Sequence, residues 1–198
     1  PEYVGLDGPC DGVTTLCDDT SVCRDSLCID PQDVAACPGD WPVESVTHQG
    51  GEPLVIEANN EEAEPLRAGS CGGDIATQVY AMTVERNGRY ILETQSDEEG
   101  ADTVLFVRRL CDFEGDDFVT ELACNDDRYV NPDDRGDRDL LSRVEIELRA
   151  DETVYVFVDS YREQSGEAAW QGAYTLQVDR IAPPEIAEAT VGYNIERR

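Results

Sequence analysis

The chain has 198 residues, with 44 acidic and 15 basic side chains and a formal net charge of -29. Such a surface repels phosphate groups, so we expect no nucleic-acid partner. It also disfavours an anionic membrane surface, and no apolar run approaches the roughly 18 residues of a membrane-spanning helix. The charge predicts either a solubility-adapted acidic surface or bound divalent cations that neutralise part of it.

The cysteine content indicates a secreted protein. Eight cysteines are present, and the chain begins at Pro1 without a methionine, as expected of a processed product. An even number of cysteines in such a chain predicts disulfides and an oxidising compartment. Zinc is a poor alternative, because His48 is the only histidine and no C-x₂-C pair occurs. We therefore predict an extracellular or cell-surface location.

Residues 1–36 form a predicted small disulfide-rich module. Four cysteines lie within 19 positions, and the segment has almost no apolar periodicity. A segment this short needs cross-links to fold. Three pairings are open; we favour Cys10–Cys23 with Cys17–Cys28, because interleaved loops constrain the module best. The module is either a spacer or a small recognition element.

Residues 37–180 are predicted to form an all-β domain. It starts near Cys37 with a turn signal, where Trp41 is expected to plug the edge of the fold. Strands are predicted at 54–58, 78–85, 89–95, 103–110, 118–123, 143–150, 153–160 and 173–180. Asn87-Gly88 is a two-residue hairpin signal, and the apolar run 153–160 suggests a central strand. The spacing favours an antiparallel β-sandwich.

The stretch from Asp102 to Asp127 is predicted to be a cross-linked pair of strands. Its two apolar runs end at Cys111 and Cys124, which suggests a Cys111–Cys124 disulfide. Cys37 and Cys71 are then left to pair with each other. That bond would tie the first segment of the domain to the turn before its next strand.

Carboxylates at the ends of these strands predict a calcium site. Asp102 precedes one strand, Asn125, Asp126 and Asp127 follow Cys124, and Asp159 ends the run 154–159. Calcium takes six to eight oxygen ligands, and several carboxylates are preferred. The alternative is a solvated acidic rim, which this composition produces in many places. We favour calcium, because unpaired acids would repel one another.

Residues 181–198 are predicted to be a strand-like tail. A Pro-Pro break is followed by alternation, and the expected contact residues are Ile186, Val191, Tyr193 and Ile195. One interpretation is a last edge strand or a linker. The other is self-assembly, in which the tail adds to a sheet edge of a neighbouring copy. Head-to-tail contacts of that kind do not close, and they build filaments.

The order NGRYILETQ, DTVLFVRRLC, ELACNDD, LRADETVYVFVDSY and GAYTLQV resembles the pre-peptidase C-terminal (PPC) type of bacterial β-sandwich. PPC domains are similar to the CUB-like jelly rolls of secreted proteins. The match covers roughly residues 70–180, and residues 1–36 look like the small disulfide modules that precede such domains. The resemblance implies a non-catalytic extracellular accessory domain, commonly stabilised by calcium.

The sequence shows no catalytic motif. G-x-S-x-G and H-E-x-x-H are absent, and His48 lies in a polar, turn-like stretch that predicts a surface position. Tyr129, Tyr161 and Trp170 lie in predicted loops, where they could stack on sugars, and Trp170 could equally cover the core.

We therefore predict a secreted, non-catalytic structural or adhesive protein, stabilised by calcium. In this interpretation the tail builds a filament or a surface layer from copies of the chain. The alternative is a carbohydrate- or protein-binding accessory module.

Overall fold

A computed structural model describes residues 37–111, 120–129, 138–161 and 169–181, and the backbone of four short strands before them. No helix within this part of the chain is long and apolar enough to cross a membrane. The four short strands are β1 (Glu2–Val4), β2 (Thr15–Cys17), β3 (Val22–Arg24) and β4 (Leu27–Ile29). β1 pairs with β2 in parallel, and β3 pairs with β4 in antiparallel orientation.

Two larger sheets form a β-sandwich. Their strands and a small pair are β5 (Val43–His48), β6 (Leu54–Asn59), β7 (Gln78–Val84), β8 (Gly88–Gln95), β9 (Thr103–Arg108), β10 (Glu121–Asn125), β11 (Arg128–Tyr129), β12 (Arg138–Asp139), β13 (Arg143–Leu148), β14 (Thr153–Ser160) and β15 (Ala173–Ile181). The five-stranded sheet has the order β10-β9-β14-β7-β5, and the four-stranded sheet has the order β13-β8-β15-β6. The pairings are antiparallel except between β5 and β7. The predicted all-β, mainly antiparallel sandwich is confirmed.

The main core lies between the two sheets. β13 alternates between exposed and buried residues along its whole length, as its sequence predicts, and turns Val144, Ile146 and Leu148 inward. β14 lies between β9 and β7, so the predicted central strand is confirmed. Its even-numbered residues Val154 and Val156 point into this inner core. Burial on both faces explains why the strand is a continuous apolar run.

A second core covers the outer face of the five-stranded sheet. Val104, Phe106 and Phe157 point outward, and the rings of Phe106 and Phe157 stack with centroids 4.5 Å apart. Partly buried residues before β5 and between β6 and β7 pack over them. Trp41 is one of these, with an edge-to-face contact to Phe157 at 6.5 Å. Within the described residues, this outer core is therefore closed by irregular chain and not by a sheet.

The two sides of the sandwich differ. β10 and β13 are edge strands of opposite sheets, and they lie against each other. The backbone N–H of Arg143 donates to Oδ1 of Asn125 across this side at 3.0 Å. On the other side, β5 and β6 are also edge strands of opposite sheets. The inward side chains of β6 are only half-buried there, so this side is more open.

The hairpin predicted at Asn87-Gly88 is wrong. β7 and β8 follow each other in the chain but lie in opposite sheets. The tight hairpin turn requires positive φ at both central residues, and neither Asn87 nor Gly88 has it. The segment instead crosses between the layers, where Asn87 O accepts from Nε of Arg180 at 2.9 Å.

The predicted disulfides Cys37–Cys71 and Cys111–Cys124 are also wrong. The structure pairs Cys37 with Cys111 and Cys71 with Cys124, with Cα separations of 4.9 and 5.7 Å. Cys124 lies opposite Phe106 in the β9–β10 ladder. Cys111 lies five positions after Phe106, beyond the end of β9. The strand register therefore places Cys124 beside the middle of β9 and not beside the end that leads to Cys111.

The observed disulfides each fasten a covering segment to the five-stranded sheet. Cys37 precedes β5, and Cys71 lies in the loop between β6 and β7. Their partners lie just beyond β9 and within β10. The bonds therefore close the outer core, and they indicate an oxidising compartment.

The prediction missed β5 and misplaced His48. His48 ends β5 and is 1% exposed, although a surface position was predicted. Its ring contacts Tyr90 edge-on at 5.1 Å, and its Nδ1 accepts from the Gly50 N–H at 2.9 Å. The polar sequence after His48 forms a turn, but the histidine itself closes one end of the core.

Some predictions lie outside the described residues. The Cys10–Cys23 and Cys17–Cys28 pairs fall on side chains that the structure does not describe, and so do the tail residues Ile186, Val191, Tyr193 and Ile195. The division into a module at 1–36, a domain at 37–180 and a tail at 181–198 stays a prediction.

Candidate functional site

The strand ends that carry the predicted calcium ligands do meet at one end of the sandwich. Val104 pairs with Asp159, and Leu105 pairs with Asn125. The Tyr161 N–H donates to the Asp102 carbonyl at 3.2 Å. The ends of β10 and β14 therefore flank the start of β9, as the sequence suggested.

Asp159 has a different role from the predicted one. It is completely buried, and its side chain lies on the outer face of the sheet. Oδ1 accepts three backbone N–H groups at 2.7–3.0 Å, from Ile75, Ala76 and Ser160. Oδ2 accepts the Asp74 N–H at 3.0 Å and the Thr77 hydroxyl. Both oxygens are occupied by protein donors, so Asp159 anchors the loop that covers the outer core.

The anchored loop needs unusual backbone conformations. Gly72, Gly73 and Asp74 all have positive φ. A Cβ on Gly73 would lie 3.2 Å from the Asp159 Oδ2 atom. Glycine therefore allows the backbone to approach the carboxylate and present several N–H groups to it.

The other predicted ligands are not gathered into a metal site. Within the described ranges, no three His, Cys, Asp or Glu side chains are placed to hold a metal ion. The Asn125 side-chain oxygen already accepts the Arg143 N–H. Asp127 is buried, and Asp126 is half-buried. Calcium at Asp102, Asp126 and Asp127 stays a prediction.

A buried arginine forms the second polar anchor of the outer core. Arg108 is 1% exposed, and its guanidinium lies over the ring of Phe106 at 4.9 Å. It donates to the Ala68 carbonyl at 2.7 Å and lies 3.6 Å from the Glu121 carboxylate. Glu121 in turn accepts the Ser70 N–H at 3.1 Å. The charges therefore hold the covering loop at residues 68–70.

The inner core contains a hydroxyl cluster at the same end of the sandwich as the predicted calcium ligands. The Tyr80 and Tyr174 hydroxyls lie 2.9 Å apart in a hydrogen bond, and Gln78 Oε1 lies 3.0 and 2.6 Å from them as the shared acceptor of the cluster. Burial raises the pKa of the Tyr174 hydroxyl well above its usual range, and the hydrogen-bonded Tyr80 raises it further. Burial also raises the pKa of Tyr80. Both rings are therefore held in the neutral form.

The open side of the sandwich is a candidate interaction surface. The Asn60 N–H donates to the Gly172 carbonyl at 3.1 Å, which fixes the hydrogen-bond directions along β6. These directions alternate along an antiparallel strand. Ile56 and Ala58 therefore direct their backbone groups to β15, and Val55 and Glu57 direct theirs outward.

The described residues cover the outward edge of β6 only in part. No hydrogen bond from another described loop or turn reaches the backbone of Val55 or Glu57. The Asn59 carbonyl also points outward and accepts from the Gln78 side chain at 2.7 Å. The Val55 side chain is 54% exposed, the largest exposure of a large apolar residue in the described chain.

A cleft of about 1230 Å³ lies at the opposite end of the sandwich from the predicted calcium ligands. Its described lining combines charges of both signs with apolar side chains: Arg89, Arg109, Glu147, Leu148, Arg149, Asp151, Glu152 and Ile181. The Arg109 Nε atom lies 3.1 Å from the Glu152 carboxylate. Ile181 is 43% exposed. The cleft therefore offers mixed charge beside an apolar surface.

The aromatic residues considered for sugar stacking cover the core instead. Trp170 packs against the inner core, and its indole N–H donates to Glu98 at 3.1 Å. Tyr161 packs against the outer core. The side chain of Tyr129 lies outside the described residues. The structure therefore favours the core-cover interpretation of Trp170.

The sequence interpretation missed both anchors and the open edge. A charge at the end of an apolar run was the available signal: Arg108 follows five apolar or small residues, and Asp159 follows another such run. Charged residues in such positions are buried only when they are paired. The open edge of β6 had no local signal, because strand order is a long-range property.

Three solved structures are among those to which the chain is similar. The pre-peptidase C-terminal domain of a collagenase from Bacillus anthracis is 14% identical, with a TM-score of 0.42 over 72% of this chain and 100% of that chain. A periplasmic inhibitor of g-type lysozyme from Aeromonas hydrophila is 12% identical, with a TM-score of 0.37 over 69% and 95%. The surface-associated copper-binding protein CorA of Methylomicrobium album BG8 is 8% identical, with a TM-score of 0.34 over 71% and 98%.

One of these structures is a PPC domain, the type of β-sandwich that the sequence resembles. No protein-family model and no curated protein matches the chain.

Proposed function

We propose that the protein is a secreted, non-catalytic structural module that assembles with copies of itself through residues 182–198. The single observation that carries this proposal is the open side of the sandwich at β5 and β6. A sheet edge with exposed backbone groups accepts a strand from another chain. The alternating tail sequence supplies such a strand. Because donor and acceptor surfaces differ, assembly continues into a filament or an adhesive surface layer.

The described residues support a scaffold and not a reaction centre. The buried polar side chains Asp159 and Arg108 are engaged in holding the covering loop. The sole histidine is buried beside Tyr90. The disulfides suit a module that works outside the cell without chaperones or reducing agents.

Sedimentation velocity of the purified chain over a range of concentrations tests the proposal. We expect the mean sedimentation coefficient to rise with concentration, and deletion of residues 182–198 to leave a monomer. Electron microscopy of the intact chain should show linear assemblies. A monomer at every concentration would overturn the proposal.

Calcium is part of the proposal as a stabilising ion at Asp102, Asp126 and Asp127. The support is the convergence of the strand ends that carry these carboxylates. Extracellular calcium modules bind at about 10⁻⁴–10⁻³ M. At ten times its dissociation constant, calcium would add about 1.4 kcal/mol to the free energy of unfolding. Calorimetry with calcium and with chelator tests this prediction. Equal melting temperatures under the two conditions would contradict the calcium site.

The mixed-charge cleft favours a second candidate function, a protein-binding accessory module. Its charges and the exposed Ile181 suit a polypeptide that carries both charged and apolar side chains. This function predicts a monomer whose partner binding is weakened by Ile181→Asp. Unchanged partner binding by that variant would count against the cleft.

A further inference from the structure

We propose that the outward edge of β6, through the backbone groups of Val55 and Glu57, is the acceptor for the tail of a second copy. This inference rests on the proposed function, and it names the strand and the hydrogen-bonding groups. The tail would add next to β6 and extend the four-stranded sheet by one strand.

The direction of the backbone groups is the first argument. Because the Asn60 N–H donates to Gly172, the backbone N–H and C=O groups of the even-numbered residues of β6 point towards β15. The same alternation is seen one strand further, where the Thr94 N–H donates away from β15 to Ser142 at 3.0 Å. Val55 and Glu57 therefore present N–H donors and carbonyl acceptors at the spacing that an incoming strand matches.

A comparison of the edge strands is the second argument. β10 and β13 face each other, so their side of the sandwich is already closed. β5 carries polar Glu44, Ser45 and Thr47 in exposed positions. β6 instead has four apolar residues in six, and its inward side chains are only half-buried. An added strand could shield these side chains, so β6 gains more from pairing than β5 does.

The distribution of charge is the third argument, and it favours a second copy of the chain as the partner that binds β6. Residues 182–198 contain three acidic and two basic side chains, which give a net charge of -1, whereas the whole chain has a formal net charge of -29. β6 has one acidic residue, Glu57. Two bodies of this charge repel each other, and the contact that joins them should be the least charged. The tail and β6 are both nearly neutral segments.

Tail length is compatible with this contact. The tail has 17 residues beyond β15. A strand of six residues covers roughly 20 Å, so residues remain for a connection between two copies. If the tail instead folded back onto its own β6, the chain would stay monomeric.

Full-length chains with single substitutions in β6 test the proposal. Val55→Pro removes one outward N–H and leaves the hydrogen bonds to β15 intact. Val55→Thr is the matched control, because it keeps the N–H and the branched side chain. We expect Val55→Pro to weaken association about tenfold and Val55→Thr to change it by less than about twofold. Glu57→Pro is a second variant with the same expectation.

Sedimentation velocity measures association, and circular dichroism melting confirms that each variant is folded. If the parent chain assembles but both folded proline variants assemble equally well, the β6 assignment is wrong while the proposed function stands. Equal losses in Val55→Pro and Val55→Thr would also overturn it, since the backbone donor would not then be responsible. If the parent chain never assembles, the proposed function itself fails.

Discussion

The two faces of the five-stranded sheet are buried in different ways. The inner face meets another sheet, and the cluster there consists of apolar and tyrosine side chains. The outer face is covered by loop segments, two disulfides and two buried charges, Arg108 and Asp159. Two regular surfaces exclude water by packing alone, whereas an irregular covering exposes backbone groups that need partners.

This comparison explains why the outer face contains the buried side chains Arg108 and Asp159. Asp159 satisfies backbone N–H groups of residues 74–76, and Arg108 satisfies the Ala68 carbonyl. Both would be costly in an apolar core without partners. The buried charges therefore serve as anchors for a loop that no sheet holds.

The largest expected effect is the loss of the Cys71–Cys124 disulfide. The bond closes a loop with a sequence separation of 53 residues. The chain-entropy model gives about 4 kcal/mol for a closed loop of this size. We expect the Cys71→Ser, Cys124→Ser double variant to lose about that much free energy of unfolding in urea titrations. A loss below about 1 kcal/mol would show that the covering loop is held without the bond.

The next effect is that of Asp159→Asn. The new amide group would place N–H donors against backbone N–H donors, so part of the hydrogen bonding to residues 74–77 is lost. We expect a decrease of about 3 kcal/mol in the free energy of unfolding. Asp97→Asn is the control, because Asp97 is exposed, and it should change stability by less than about 0.5 kcal/mol. Similar effects from both variants would contradict the anchoring role.

A smaller effect is expected from the tyrosine pair of the inner core at alkaline pH. The pKa of Tyr174 is raised above the usual 10.0 in the folded protein, chiefly by burial. Its contribution to stability is therefore complete below pH 10 and is lost as pH rises further, since the unfolded state ionises first. At pH 11 one such tyrosine lowers the free energy of unfolding by about 1.4 kcal/mol. Tyr174→Phe should flatten the decline between pH 9 and pH 11 in denaturant titrations, and an unchanged slope would contradict this assignment.

The smallest effect is expected from Glu121→Gln in the outer core. The amide keeps an acceptor for the Ser70 N–H but removes the charge beside Arg108. We expect Glu121→Gln to lower the free energy of unfolding by about 1 kcal/mol. The decrease should be smaller when the same substitution is made in the Cys71→Ser, Cys124→Ser double variant. Strict additivity of the two effects would indicate that the disulfide and the ion pair hold the loop independently.

Local patterns were sufficient to predict most of the strands. The alternation of β13 predicted its inward face, and the apolar run of β14 predicted a strand between two others. The same local patterns also predicted that the strand ends near Asp102 and Asp159 lie next to each other. These predictions succeeded because side-chain direction in a strand repeats every two residues. The inward face can therefore be inferred from the local sequence, without knowing which distant segments pack against it.

The candidate interaction site could not be predicted in the same way. The open edge of β6 results from strand order, and the role of Asp159 results from a loop that lies more than 80 residues earlier. The Asn87-Gly88 signal was misread because a two-residue turn cannot reveal that its flanking strands enter different sheets. In each case the deciding contact is long-range.

The sequence by itself determined most of the strands, the acidic character and the all-β class, because these depend on composition and on a side-chain alternation with a period of two. The tertiary structure decided which cysteines pair, which carboxylate is an anchor and which edge is left open. Those properties depend on which strands become neighbours, and the packing of the two sheets fixes that choice.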